Sequence, residues 1–253
     1  MSGLIDRKVL VVGASAGVGR AFAVRAVAQG AQVVLAARRA DRLAEVVVEA
    51  GGGRAVVADV SRDGDAERLV EAAVAELGAV DLLFHAVGTA PLRLLVETSA
   101  DDWRRVLETN VIGLQRVLAA LVPQAASGAI AAVLSSETVG RPRPSLGAYG
   151  ASKAALSESL RAWRLEHPEV RFSCVALGAT QPTEFGGAFD MDALGPVLTS
   201  WVRHGLMQQE YMETGDVASI LADLFGSALT HPSVGIDEIV LRSPSPVLGL
   251  RPH

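Results

Sequence analysis

The residues with the clearest chemical potential are a tyrosine and a lysine four positions apart, Tyr149 and Lys153. They lie at the start of a predicted helix, Ala148–Glu166, so both side chains share one of its faces. A phenol with a pKa of about 10 transfers protons poorly at neutral pH. An ammonium ~5 Å away, at an effective dielectric of ~20, stabilises the phenolate by roughly 3 kcal/mol, or about two pKa units. The pair therefore predicts a lowered pKa for Tyr149, which would let it act as general acid–base on an alcohol or carbonyl oxygen.

A glycine-rich turn near the N-terminus predicts a phosphate-binding site. It joins a predicted strand, Lys8–Val12, to a predicted helix, Ala16–Gln29, and glycine there permits a tight turn and close approach to a pyrophosphate. The start of the helix adds free N–H groups and the positive end of its dipole. The spacing is G-x-x-x-G-x-G rather than the commoner G-x-G-x-x-G. The residues of this turn that we expect to contact a dinucleotide are Gly13, Ser15, Gly17, Val18 and Gly19.

The end of the second predicted strand, Gln32–Ala36, indicates which dinucleotide binds. NAD-binding proteins place an acid there to accept from the ribose 2′-hydroxyl. In this chain Arg38 and Arg39 follow the strand, and the first acid is Asp41. Guanidinium groups suit a 2′-phosphate, so the sequence favours NADP(H). The alternative is that both arginines only solvate a loop.

Apolar, strand-like runs alternate with helical patterns along the chain. The predicted strands are Lys8–Val12, Gln32–Ala36, Arg54–Ala58, Asp81–Phe84, Ala129–Leu134, Val170–Ala176 and Ile236–Leu241. The predicted helices are Ala16–Gln29, Ala40–Ala50, Asp63–Leu77, Ala100–Ala125, Ala148–Glu166 and Asp216–Phe225. Strands that are aliphatic throughout belong to parallel sheets covered on both faces. The sequence therefore predicts the α/β class, with a doubly wound, Rossmann-like parallel sheet of about seven strands in one domain over residues 1–253.

The segment Gly178–Glu213 departs from this alternation. It is rich in Gly, Pro and isolated aromatic residues, and we expect it to contain short helices and no strand. A stretch of this length in a compact domain predicts a substrate-binding loop or lid. Its apolar side chains for a pocket are Phe185, Phe189, Trp201 and Met207. The candidate side chains for binding a carboxylate, here and in the preceding loop, are Arg141, Arg143, Arg203 and His204.

The composition excludes several classes of protein. The chain has 253 residues, a formal net charge of −5 and 50% hydrophobic residues, which suits a folded chain with a large core. Its one cysteine, Cys174, excludes a disulfide framework, and the five histidines lack metal-ligand spacing. The short mixed N-terminus is unlike a secretory signal, and no uncharged apolar run reaches the ~18 residues needed to span a bilayer. We expect a cytoplasmic protein with no nucleic-acid or membrane partner.

Taken together, the motifs resemble those of the short-chain dehydrogenases/reductases, in their short single-domain form. The resemblance runs from about Asp6 to Leu241. It rests on Gly13-x-x-x-Gly17-x-Gly19, Asp59-Val60, Asn110-Val111-x-Gly113, a serine before the active-site helix and Tyr149-x-x-x-Lys153. It implies that Tyr149 is the general acid–base and that Lys153 lowers the pKa of Tyr149 and binds the nicotinamide ribose.

The resemblance also implies roles for further residues. A serine polarises the substrate oxygen; Ser136, thirteen residues before Tyr149, has the family's usual spacing, and Ser135 is the alternative. Asn110 holds a water that extends the proton relay towards Lys153. The remaining residues that we expect to bind the cofactor are Asp59, Val60, Gly88 and Thr183, with Thr180 as the alternative to Thr183. Asp59 would accept from the adenine amino group or act as an ordinary turn aspartate.

Three positions depart from the family pattern. Its usual Asn-Asn-Ala-Gly is His85-Ala86-Val87-Gly88 here, and we expect a partly buried, structural His85. The usual Pro-Gly after the sixth strand is Leu177-Gly178. Glu137 replaces a residue that is commonly small or apolar; it would contact a substrate amine or, as the preferred interpretation, be a solvated loop glutamate.

The resemblance therefore predicts an NADP(H)-dependent oxidoreductase that transfers a hydride between a nicotinamide and a small-molecule carbonyl or secondary alcohol. The alternatives are a dehydratase or epimerase of the same fold, and a catalytically silent NADP-binding regulator or scaffold. The family also implies a homo-oligomer, a tetramer or a dimer. One interface would involve the helices Trp103–Ala125 and Ala148–Arg164, and another the C-terminal strand.

Overall fold

The computed structural model describes residues 3–185, 189 and 191–249, and its centre is a parallel sheet. Within these residues the sheet has seven strands in the order β3-β2-β1-β4-β5-β6-β9. Those strands are β1 (Lys8–Val12), β2 (Gln32–Ala37), β3 (Arg54–Val57), β4 (Val80–His85), β5 (Ala125–Ser136), β6 (Arg171–Leu177) and β9 (Glu238–Leu241). Each pair of neighbours is parallel. The predicted doubly wound, Rossmann-like α/β fold is confirmed.

Helices cover both faces of the sheet. The α-helices are α1 (Gly17–Ala28), α2 (Ala40–Ala50), α3 (Asp65–Leu77), α4 (Ala100–Leu107), α5 (Gly113–Leu121), α6 (Gly147–Glu166), α7 (Met191–Arg203) and α8 (Thr214–Thr230). Side chains of α1, α2 and α8 share one apolar core, and those of α3, α5 and α6 share the other. Successive residues of β1 alternate between these cores, Val9 facing the first and Leu10 the second. The strand reads as continuously apolar because both of its faces are buried.

The predicted helix Ala100–Ala125 is interrupted in the structure. A π-helical turn, Glu108–Ile112, separates α4 from α5, and a 3₁₀ turn, Val122–Gln124, leads directly into β5. Apolar periodicity did not reveal the π turn, because a single turn is too short to give a pattern of its own. By length and composition alone the run Ala100–Gln124 could cross a membrane, but its apolar side chains in α5 are buried in the second core.

The segment Gly178–Glu213 contains a helix, α7, and also two short strands. The strands are β7 (Thr180–Gln181) and β8 (Met212–Glu213), which pair in parallel at the two ends of the segment. The expectation that this segment holds no strand is therefore wrong. Strands of two residues are too short to give an apolar pattern, and their pairing depends on the chain returning to its starting point.

The strand order reverses between β1 and β4, and this reversal determines where a ligand can bind. The connections after β1 and after β4 lead to opposite faces of the sheet, which opens a crevice at the carboxyl ends of these strands. The glycine turn after β1 and Gly88 after β4 both lie at this edge.

Gly113, the first residue of α5, packs closely on the segment after β3. An added Cβ would lie 2.8 Å from Val60 Cγ2 and 3.1 Å from the Val60 carbonyl oxygen. We expect Gly113→Ala to lower the free energy of unfolding by about 1–2 kcal/mol, since overpacking outweighs the gain in helix propensity. The matched control is Gly215→Ala in α8, where nothing lies within 4 Å of the added Cβ. We expect Gly215→Ala to be neutral or stabilising by up to ~1 kcal/mol. Urea unfolding of both variants checks this, and equal effects would contradict the packing argument.

Candidate active site

A cavity of about 600 Å³ opens at the carboxyl edge of the sheet, and nearly all predicted site residues line it. Those lining it are Gly13, Ser15, Gly17, Val18, Gly19, Arg38, Arg39, Asp59, Val60, Gly88, Ser136, Tyr149, Lys153 and Thr183. Among the predicted catalytic and cofactor-binding residues, Asn110 is the one that does not line the cavity. The tertiary structure thus brings together residues that are up to 170 positions apart in the chain, from Gly13 to Thr183.

The glycine turn fits an anionic group. Gly13 and Gly17 have φ angles of +91° and +55°, which glycine adopts without strain. A Cβ at Gly19 would lie 2.2 Å from the Gly13 carbonyl oxygen, so only glycine permits this close turn. Ala16, the N-cap of α1, makes no side-chain cap, and the first turn of α1 contains no acid. Its free N–H groups and positive dipole end therefore face the cavity as an anion site.

Two arginines, Arg38 and Arg39, line the cavity just past the end of β2. Arg38 is largely exposed, with Nη1 4.0 Å from Asp59 Oδ2. Arg39 Nη2 donates to Ser15 Oγ at 3.1 Å and to Glu184 Oε2 at 2.5 Å. Glu184 was not predicted, since no local motif connects it to an arginine 145 positions away. The guanidinium groups, the Ser15 hydroxyl and the free N–H groups of α1 form a donor set suited to phosphate.

Tyr149 lies in the first turn of α6 and is 8% exposed. Burial raises the pKa of its phenol to about 12, although a hydrogen bond with Ser136 and the positive charge of Arg143 lower it. The expected lowering by Lys153 is therefore wrong for the protein chain alone. The ammonium lies 5.9 Å from the centroid of the phenol ring, and burial has the larger effect.

Lys153 is almost completely buried between the ends of two strands. Its Nζ donates to the Leu134 carbonyl at 2.8 Å and, at 3.4 Å, to the Val87 carbonyl. Burial lowers the pKa of the ammonium to about 8. Gly88 leaves space for this group, because a Cβ there would lie 3.4 Å from Nζ. Lys153 is thus held at the mouth of the cavity with one N–H left to donate.

Asn110 lies in the π turn, and its side chain joins three parts of the chain. Its Oδ1 accepts from the Thr89 N–H at 2.8 Å, and Nδ2 donates to the Thr89 carbonyl and to Ser152 Oγ, both at 2.9 Å. Both amide hydrogens are therefore used within the protein. Its predicted role in holding a relay water stays a prediction. Thr89 and Ser152 are partners that the sequence analysis missed, although Ser152 lies beside Lys153 in the motif.

The two serine candidates differ in their contacts. Ser135 Oγ lies 3.0 Å from Ser157 Oγ, whereas Ser136 Oγ accepts from the Thr138 N–H at 3.2 Å and is close enough to Tyr149 to lower the pKa of its phenol. The thirteen-residue spacing therefore identifies the serine beside the phenol. Thr180 Oγ1 donates to the Gly178 carbonyl, and Thr183 lies with its methyl group against Gly17. Both threonines line the cavity.

His85 at the end of β4 is completely buried, so the expectation of partial burial is wrong. Neither ring nitrogen has a hydrogen-bond partner among the residues that the structure describes. Burial and the charge of Lys153 lower its pKa to about 3, although its own backbone acts in the opposite direction. The imidazole is therefore neutral at neutral pH.

Glu137 forms an ion pair with Arg143, with its Oε1 accepting from Nη2. The side chains are 12% and 13% exposed, so the preferred interpretation of a solvated loop glutamate is wrong, while contact of Glu137 with a substrate amine stays a prediction. The other three candidates for carboxylate binding, Arg141, Arg203 and His204, are exposed and do not line the cavity.

A family model described as short chain dehydrogenase matches residues 7–192. The chain belongs to this family. A short chain dehydrogenase is an oxidoreductase with a nicotinamide cofactor, so the resemblance seen in the motifs is confirmed. The family match covers the glycine turn, the arginines and the Tyr149 region.

Full-length relatives of this short chain dehydrogenase include an uncharacterised oxidoreductase of Mycobacterium tuberculosis, 36% identical over 95% of this chain and 92% of the relative. An A-factor type gamma-butyrolactone 1′-reductase of Streptomyces virginiae is 37% identical over 70% of this chain and 73% of its own. Among solved structures, an alcohol dehydrogenase of Thermococcus sibiricus complexed with 5-hydroxy-NADP superposes with a TM-score of 0.79. That enzyme is 26% identical, and the match covers 98% of this chain and 99% of the other.

The buried His85 predicts an acid-sensitive stability. Its folded pKa of about 3 lies below the value of 6.5 for an accessible histidine, so below pH 6.5 the unfolded chain binds one more proton than the folded chain. We expect this group to lower the free energy of unfolding by about 2 kcal/mol between pH 7 and pH 5.

Urea unfolding of the wild type and of His85→Leu at both pH values measures this difference. The leucine variant is expected to lose about 2 kcal/mol less than the wild type on acidification. His204→Leu, at an exposed histidine, controls for the loss of an imidazole. If wild type and His85→Leu change in parallel with pH, His85 does not carry this dependence.

Proposed function

We propose that this protein is an NADP(H)-dependent oxidoreductase that interconverts a carbonyl compound and the corresponding secondary alcohol, with Tyr149 as the catalytic acid–base. The observation that carries the proposal is a single cavity lined by Tyr149, Ser136 and Lys153 together with the glycine turn, Arg38 and Arg39. A dinucleotide bound in this cavity would place its phosphates at the N-terminus of α1 and its nicotinamide beside Tyr149 and Ser136.

Each part of the NADP(H) molecule has a proposed set of binding residues in the cavity. The N–H groups at the start of α1 and the glycines of the turn bind the pyrophosphate. Arg38, Arg39 and the Ser15 hydroxyl bind the 2′-phosphate, and the Asp59–Val60 segment borders the adenine. Lys153 donates its remaining N–H to the nicotinamide ribose, and Gly88 permits the close approach. The absence of an acid at the end of β2, where Ala36 and Ala37 stand, supports NADP(H) over NAD(H).

The proposed proton transfer follows from the protonation state of Tyr149 at neutral pH. At neutral pH the Tyr149 phenol, with a pKa of about 12, is protonated, which is the state that donates a proton to a carbonyl oxygen. The Ser136 hydroxyl, adjacent to it, binds the same oxygen and orients it. The nicotinamide supplies or accepts the hydride when it is bound. The positive charge of Arg143 and the Ser136 hydroxyl stabilise the phenolate that remains after proton donation.

The wider organisation is proposed from the same family membership. Residues 1–253 act as one dinucleotide-binding and catalytic domain, and residues 178–213 act as the substrate loop, since Phe185, Phe189 and Trp201 from this segment line the cavity. A cytoplasmic homo-oligomer is proposed through α5, α6 and the sheet edge at β9. The apolar side chains that support these interfaces are Ile112 beside α5, Leu165 in α6 and Val240 in β9, all exposed in the single chain.

We expect Tyr149→Phe to reduce kcat for NADPH-dependent carbonyl reduction by a factor of about 10²–10⁴, because the proton donor is lost while the ring still packs. Absorbance at 340 nm with a panel of ketones and aldehydes measures the rate. The control is Tyr211→Phe, at the second tyrosine of the chain, which also lines the cavity. Wild-type turnover in Tyr149→Phe would refute the assigned role. A wild-type protein that binds NADPH but reduces no carbonyl would favour the silent NADP-binding alternative.

We expect Arg38→Ala to weaken NADPH binding by roughly 10- to 100-fold and NADH binding much less, because a charge-assisted bond to the 2′-phosphate contributes about 1.5–3 kcal/mol. The enhanced fluorescence of the bound reduced cofactors gives both dissociation constants. Arg42→Ala, on α2 and outside the cavity lining, is the matched control and should affect neither cofactor. Equal weakening of NADPH and NADH by Arg38→Ala would show that this arginine is structural.

A further inference from the structure

The ion pair of Glu137 and Arg143 forms part of the cavity wall beside the proton-transfer groups. Glu137 directly follows Ser136 in the chain, and the charge of Arg143 reaches the Tyr149 phenol. Both members of the pair line the cavity, and their side chains are 12% and 13% exposed. An ion pair in this position contacts whatever part of a substrate extends beyond its reacting carbonyl group.

Arg143 is held firmly, and part of its hydrogen-bonding capacity is unused. Its guanidinium lies 5.5 Å from the centroid of the Trp201 ring, and Trp201 Nε1 in turn donates to the Pro144 carbonyl at 2.8 Å. Within the part of the chain that the structure describes, Glu137 is the acceptor for Arg143, through Nη2. A guanidinium has five N–H donors, and none of its remaining nitrogens is both sealed in the protein and unpartnered. The remaining donors are therefore not sealed in the protein, and Arg143 lines both the cavity and a small second pocket.

The rest of this wall is apolar. The side chains around the ion pair that line the same part of the cavity are Leu146, Phe185, Phe189 and Trp201. In such surroundings the net charge of a bound group matters, because an uncompensated charge is poorly solvated. Glu137 already neutralises Arg143. A carboxylate placed beside the pair would leave a net negative charge, whereas a neutral carbonyl oxygen can accept from Arg143 and leave the pair neutral.

Arg141 and Arg242 line a small second pocket together with Glu137 and Arg143, but both are exposed, so solvent screens their charges. Arg105 also lines the cavity, but it is largely exposed and paired with Asp102 at 2.6 Å. The exposed Arg141, Arg203 and His204 lie outside the lining. Lys153 is directed at the strand-end carbonyls of Leu134 and Val87.

We propose that the Glu137–Arg143 pair selects ketone substrates that carry a second, neutral acceptor oxygen next to the reacting carbonyl, such as oxo esters, and disfavours the corresponding oxo acids. Arg143 donates to the second oxygen, and Glu137 sets the preference for an uncharged group. This inference rests on the proposed carbonyl reduction at the same site. The reaction itself is unchanged: the ketone carbon receives hydride from NADPH, its oxygen receives a proton, and the ester group is left intact.

The test uses three matched ketones with NADPH: ethyl 2-oxo-4-phenylbutanoate, its free acid, and 4-phenylbutan-2-one, which lacks the second oxygen. The wild type, Glu137→Gln and the double variant Glu137→Gln/Arg143→Met are compared by the ratios of kcat/KM among the three ketones. Comparing the same ratio between two of the proteins cancels the different intrinsic reactivities of the ketones. The ratios also cancel any effect of Arg143 on the pKa of Tyr149, which applies to all three alike. The double variant avoids leaving Glu137 buried without its partner.

We expect the wild type to favour the ester over the acid. In Glu137→Gln, which leaves the guanidinium uncompensated, the acid-to-ester ratio should rise by about 10-fold or more. In the double variant the ester-to-plain-ketone ratio should fall by roughly 10- to 100-fold relative to the wild type. Ratios that stay the same in all three proteins, with measurable turnover, would overturn the selection by this pair and leave the proposed reduction standing. If wild type binds NADPH and reduces none of the three ketones or any other carbonyl, the proposed function fails and this inference fails with it.

Discussion

The arrangement of the site depends on the burial of one ammonium group. Lys153 is 2% exposed, and a buried charge is tolerated only when its hydrogen-bond capacity is satisfied. The acceptors are the carbonyl oxygens of Leu134, in β5, and Val87, just past β4. Leu134 lies one position past the last registered pair of β4 and β5, His85 with Val133, and Val87 lies two positions past the end of β4, so both oxygens lie where this pair of strands separates. Lys153 therefore joins α6 to the carboxyl edge of the sheet, and Tyr149, one turn earlier in α6, is positioned with it.

Burial acts in opposite directions on the two groups of this pair. It lowers the pKa of the ammonium to about 8 and raises the pKa of the phenol to about 12, because both charged forms lose solvation. A simple estimate from two charges in a medium of uniform dielectric includes the attraction between them and omits this loss. The phenol pKa is lowered by Ser136, at the end of β5, and by the charge of Arg143, in the loop between β5 and α6. The charge balance around the phenol is thus set by several segments rather than by one lysine.

The region beside this pair is unusually polar for a protein interior. The side chain of Asn110 connects the π turn, the loop after β4 and α6 through Thr89 and Ser152, so these three segments keep one relative position. The connection requires the π turn, because an unbroken helix would place the amide on a different face. His85, at the end of β4, is close enough to Lys153 for the ammonium charge to lower the pKa of the imidazole, and neither ring nitrogen has a hydrogen-bond partner among the described residues.

Much of the fold and of the site could be predicted from the sequence because the signals are local. Continuous apolar runs identified the strands of the main sheet, and glycine positions in the first turn identified the edge of the sheet at which the cavity opens. The spacing of Ser136, Tyr149 and Lys153 identified residues that the structure brings to one cavity. These patterns depend only on the period of a helix or strand and on the residue types that a tight turn allows.

The tertiary structure alone decided the features that depend on distant contacts. The partners of Arg39 and Glu137, the complete burial of His85 and the pairing of β7 with β8 follow from segments that meet in space without a local motif. The direction of the pKa shift of Tyr149 belongs with them, since desolvation depends on everything that surrounds the phenol. The order of residue types thus determined the kind of chemistry and the edge of the sheet where it occurs. The packing determined the charges that each group experiences there, because solvent exclusion is a property of the assembled fold and not of any short stretch of sequence.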